Sequence, residues 1–159
     1  MSRIGDFEPD DLIGWMELSP VIGAALGGYA DAVYRGQLNP RVREIARMTV
    51  AFDNECEVCR NTRLADGEAA GLDEEFYEHA GEWRTWDGYS AAERLAAEFA
   101  YRFAKDHVSL REDDEFWARA HALFSDEEIT DLTLSCALWL GQGRALRVLD
   151  VGQACRLTL

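Results

Sequence analysis

Apolar residues along the chain recur three or four positions apart, and no sustained alternating run bounded by hairpin signals interrupts them. The pattern predicts an all-α fold. Residues 1–19 are acidic and hydrophobic by turns and predict an arm or short helix around Leu12, Trp15 and Met16. Pro20 opens a helix through about Tyr34, which Gly36 ends. Asn39-Pro40 is a clear start, with Asn as N-cap and Pro at the first helical position. From there to about Phe52, Val42, Ile45, Ala46 and Val50 fall near one face. Asp53-Asn54 predicts a break, and the helix that follows runs to about Ala70 and stops at Gly71.

Further on, Asp73 to about His79 predicts a short helix, and Gly81–Tyr89, with two Trp and no helical period, a loop. Ser90-Ala91-Ala92-Glu93 is a capping box opening an amphipathic helix with the stripe Leu95, Phe99 and Phe103. A short helix covers about Glu112 to Leu123. Ser125-Asp126-Glu127-Glu128 repeats the capping box. Its helix (Ile129, Leu132, Cys136, Trp139, Leu140) is apolar on most sides, which predicts a central or subunit-interface position. Gly141 and Gly143 are expected to bend or break it before Leu146. No linker divides the chain, so residues 1–159 read as one domain, with 1–34 as an N-terminal arm and helix.

Charge narrows the function. The formal net charge is −14, which repels phosphate backbones and argues against a nucleic-acid partner. No apolar run approaches the roughly 18 residues of a membrane span, and no secretory leader pattern follows Met1. The expectation is a cytoplasmic protein, where thiols are kept mostly reduced. Against that background the paired Cys56-Glu57-Val58-Cys59 stands out. It reads as a redox dithiol, as half of a zinc site, or as two inert thiols. A closed zinc site wants four ligands, but Cys136 and Cys155 are isolated and no His is close in sequence. Thioredoxin-like chemistry usually comes with a βαβ pattern, which is absent here. On a helix, Cys56 would sit in the first turn and Cys59 one turn later on the same face, followed at i+4 by Arg63. Helix N–H groups and a nearby guanidinium both favour thiolate. Cys136, in the most apolar helix, reads as a small core residue.

These residues also resemble a known family, the alkyl hydroperoxidase D-like or carboxymuconolactone decarboxylase superfamily. The similarity runs from about residue 35 to 151. Its core is Arg43-Glu44-Ile45-Ala46-Arg47 and Asn54-Glu55-Cys56-Glu57-Val58-Cys59, continued by Gly71-Leu72 and Phe124 to Leu132. The resemblance implies an AhpD-like helical bundle assembling as a homo-oligomer, a trimer or hexamer. It also implies that Cys59 attacks peroxide, that Cys56 resolves, and that Glu44 belongs to a proton relay. The family motif places a His four residues after the second Cys, where this chain has Arg63. Arg stays protonated and cannot accept the thiol proton. The expectation is that Arg63 holds the Cys59 thiolate electrostatically while Glu44 or water handles protons; the alternative is a structural Glu44–Arg63 ion pair.

His79, His107 and His121 read as solvated or capping residues, although His107 or His121 could reach the dithiol through folding. Trp83, Trp86, Trp117 and Trp139 read as core or interface, with Trp83 and Trp86 possible at a pocket entrance. The function expected is a thiol-dependent, peroxidase-like oxidoreductase. It acts on a hydroperoxide, is regenerated by an external dithiol reductant, and needs no metal, flavin or haem. The alternatives are a carboxymuconolactone decarboxylase-type lyase on a γ-lactone acid and a non-catalytic, redox-sensing helical oligomer.

Overall fold

The computed structural model describes residues 2–8, 11–153 and 158, and the described residues contain helices but no strand. Among the described residues nine α-helices follow one another: α1 (Gly14–Glu17), α2 (Pro20–Tyr34), α3 (Pro40–Asp53), α4 (Glu57–Asn61), α5 (Glu74–Glu78), α6 (Ala91–Lys105), α7 (His107–Arg111), α8 (Asp114–Leu123) and α9 (Asp126–Leu149). Short 3-10 turns occupy Gly67–Ala70 and Ala80–Glu82.

The helix starts follow local chemistry. Asn39 accepts from the Arg41 N–H, and Ser90 and Ser125 each complete a capping box with Glu93 and Glu128. Glu93 does more, because Arg41 reaches it at 2.5 Å and also lies over the Phe76 ring, tying α3 to the start of α6.

α3 packs against α6 and α9 and is the enclosed helix of the bundle. Every residue from Val42 to Ala51 is buried, including Arg43, Glu44, Arg47 and Thr49. Of the two positions expected for α9, central or at a subunit interface, the first is not what the bundle shows: Leu134 and Val148 on it are exposed, so it covers α3 rather than being covered. Nor does α9 break at its glycines. At Gly143 a Cβ would collide with the Asn54 amide nitrogen, which donates to the Trp139 carbonyl at 3.0 Å. That glycine serves close packing against the end of α3.

Candidate functional site

α3 ends in a Schellman motif. The Glu55 N–H bonds the Phe52 carbonyl and the Cys56 N–H bonds the Ala51 carbonyl, with Glu55 in the left-handed region at φ 50°. This turn delivers Cys56 in extended conformation as the N-cap of α4, one position earlier than the first-turn placement expected. Cys59 follows within the helix. Their Cα atoms are 5.2 Å apart and the sulfurs are bonded as a disulfide.

α4 was expected to reach Ala70 but stops at Asn61, where Thr62 turns extended. Neither glycine nor proline stops it. Side chains take over the carbonyls of its last turn. The Thr62 hydroxyl donates to Val58, Arg47 donates to Cys59, and Arg63 Nη1 donates to Arg60 at 2.8 Å. Arg63 therefore lies beyond the helix and not on the Cys59 stripe. Its guanidinium pairs with Glu74 at 3.2 Å and stacks 4.0 Å from the Tyr77 ring centre. The Glu44–Arg63 ion pair considered from sequence does not form.

Glu44 is fully buried and pairs instead with Arg47, three residues on, at 2.8 Å. The Tyr77 hydroxyl donates to the same carboxylate at 3.2 Å. Arg47 also donates to the Thr62 carbonyl at 3.1 Å, so the Glu44–Arg47 pair clamps the far end of the dithiol helix. Burial opposes the Arg47 charge, but the adjacent Glu44 carboxylate more than offsets this and raises its pKa. Burial, then the Glu44 charge, raise the Tyr77 phenol above its ordinary value, which keeps it a donor. Glu44 and Arg63 thus meet through Tyr77, with Arg47 as the link to Cys59. Arg47 and Tyr77 were not singled out from the sequence. The i,i+3 spacing of Glu44 and Arg47 was the available signal for the first; none marked Tyr77.

The two cysteines differ in access. Cys56 is fully buried with Val58, Leu146 and Val151, whereas Cys59 is half-buried, and Leu12 and Trp15 of the N-terminal arm pack against the same cluster. Cys59 lines a largely apolar cavity of about 630 Å³, walled also by Arg43, Val58, Trp139 and Leu146. Trp15, Tyr34 and Trp139 are the aromatic residues of this wall, and Trp83 lines a different hollow. Cys136 is a buried core thiol whose pKa burial pushes up. Cys155 lies outside the described residues. His79 binds Glu82 and stacks on Trp86, while His107 and His121 are exposed and none of the three lines the dithiol cavity.

A helical bundle holding a CxxC disulfide beside a buried Glu–Arg pair defines an AhpD-like fold. Residues 20–102, more than half of the chain and including the dithiol, match the model of the carboxymuconolactone decarboxylase family, and the chain belongs to that family. A crystal structure of an Agrobacterium tumefaciens protein of unknown function, provisionally described as the antioxidant defence protein AhpD, is similar across 94% of this chain and 95% of that one. The TM-score is 0.75 at 20% identity. No curated protein matches the chain.

Proposed function

We infer that the protein is a thiol-dependent, peroxidase-like oxidoreductase. The observation that carries this reading is the unequal burial of the two sulfurs. A nucleophile must meet its substrate, and Cys59 faces the cavity while Cys56 is sealed behind it. Access supports the order implied by the family resemblance, whereas helix-terminus electrostatics alone would have favoured Cys56.

In the proposed cycle the Cys59 thiolate attacks the terminal oxygen of a hydroperoxide. The O–O bond breaks, the alkoxide leaves and is protonated to the alcohol, and Cys59 becomes a sulfenic acid. Cys56 then attacks the Cys59 sulfur, the S–O bond breaks, water departs, and the disulfide forms. An external dithiol returns two electrons and two protons by exchange. Glu44 is assigned to the proton relay, and Arg47 fixes Cys59 through its backbone. Arg63 becomes a positioning residue that caps α4 and steadies Tyr77. A redox pair that opens on the cavity through Cys59 favours this chemistry over lactone decarboxylation.

The reading includes a homo-oligomer, a trimer or hexamer. α2 leaves Val21 and Ile22 83% and 71% exposed, an apolar surface suited to a second copy. Sedimentation of the wild type against Ile22→Glu tests that part. For the chemistry, reduced protein is titrated for thiols before and after one equivalent of hydroperoxide. The wild type loses two thiols, whereas Cys56→Ser accumulates a Cys59 sulfenic acid that dimedone traps. Unchanged thiols in the wild type would sink the peroxidase reading.

A further inference from the structure

Arg43 has no part in the dithiol cycle, yet the fold leaves its charge unanswered. It is 6% exposed and lines the same cavity as Cys59. Nη1 donates to the Tyr34 carbonyl at 3.3 Å, and the guanidinium lies 5.0 Å from the centre of the Tyr34 ring. The Nε is fully enclosed without a hydrogen-bond partner. Among the described residues no carboxylate pairs with it. The acids on the cavity wall, Asp31 and Asp66, are exposed, and Asp31 is held by Arg35 at 2.7 Å.

A buried guanidinium without an anion is costly unless a ligand supplies one. Its planar fork matches a carboxylate in bidentate fashion. The apolar part of the wall, with Leu12, Trp15, Val58, Leu138 and Leu146, suits an alkyl chain, and about 630 Å³ is the size of a small-molecule site. We propose that the cavity takes hydroperoxides of medium-chain carboxylic acids, with the carboxylate on Arg43 and the peroxide at Cys59. The peroxide half rests on the dithiol reading above; carboxylate recognition does not.

Decanoate and decanol, titrated into the disulfide form and followed by tryptophan fluorescence from Trp15 and Trp139, separate the two. Decanoate binds about tenfold tighter or better in the wild type, as a desolvated charge-assisted pair should give. Arg43→Met removes the preference, and Arg43→Lys keeps part of it. Equal binding of acid and alcohol by the wild type overturns the proposal, as does a preference that survives Arg43→Met. With reduced enzyme, the hydroperoxide of decanoic acid shows a KM about tenfold below that of a neutral hydroperoxide of equal length. A decanoate preference without peroxide turnover overturns the dithiol reading alone and leaves carboxylate recognition at Arg43 standing.

Discussion

Arg43 and Arg47 stand one turn apart on α3, both buried, and their surroundings differ in kind. Arg47 sits in a closed polar network, donating to the Glu44 carboxylate, which also accepts from the Tyr77 hydroxyl, and to two backbone carbonyls. Arg43, on the wall of the same cavity, meets only one carbonyl and an aromatic face. The first arrangement is complete in itself, because every charge has its partner and removing one member strands another. The second is incomplete, which is what a binding surface looks like before its ligand arrives. Identity and burial do not separate the two residues; their partners do.

The sharpest way to break this comparison is Arg47→Met. It leaves Glu44 buried without its cation and should cost about 3–5 kcal/mol in urea unfolding. Pairing it with Glu44→Leu should recover most of that loss; if the double variant is as unstable as the sum of the singles, the network reading is wrong. Next in size, Tyr77→Phe deletes one hydrogen bond to a buried carboxylate and should cost about 2 kcal/mol. A loss below a few tenths would show that Glu44 does not need it.

The same tyrosine predicts a pH effect. Its pKa is raised in the folded state by burial and by Glu44, and burial raises Tyr34 and Tyr89 likewise. Above the ordinary value of 10.0 the unfolded chain loses these protons first. The stability they contribute is therefore complete below pH 10 and falls as pH rises further. Thermal melts across alkaline pH should decline less steeply for Tyr77→Phe than for the wild type, and parallel curves would remove Tyr77 from this effect. Smallest of all, Arg43→Met should leave unfolding free energy within about 1 kcal/mol of wild type, or raise it, because no charged partner is stranded. A loss as large as that for Arg47→Met would show that Arg43 is structural after all.

Much of the bundle was legible because its helices start on local chemistry. Asn39-Pro40, Ser90 with Glu93, and Ser125 with Glu128 each carry their own signal within four residues. The end of α4 was not legible, because Arg47 on another helix and the Thr62 and Arg63 side chains take its carbonyls. No turn residue marks the stop. Gly143 misled in the opposite direction: its missing side chain makes room for Asn54, a contact 89 positions away in sequence. At the site, Cys56, Cys59 and Glu44 were evident from spacing and resemblance. The difference between Arg43 and Arg47 depends on what surrounds them after folding, which no local pattern encodes.

The capped end of α4 has a consequence for motion. A free five-residue helix would fray continually. This one cannot open its last turn without also releasing the Arg47 contact rooted in the most enclosed helix of the bundle. Its amides should therefore exchange with solvent at the pace of the α3 interior and belong to the same cooperative opening unit. The dithiol rides on a segment that is short in sequence but as slow to open as the core, so cycling between thiols and disulfide need not loosen the protein around it.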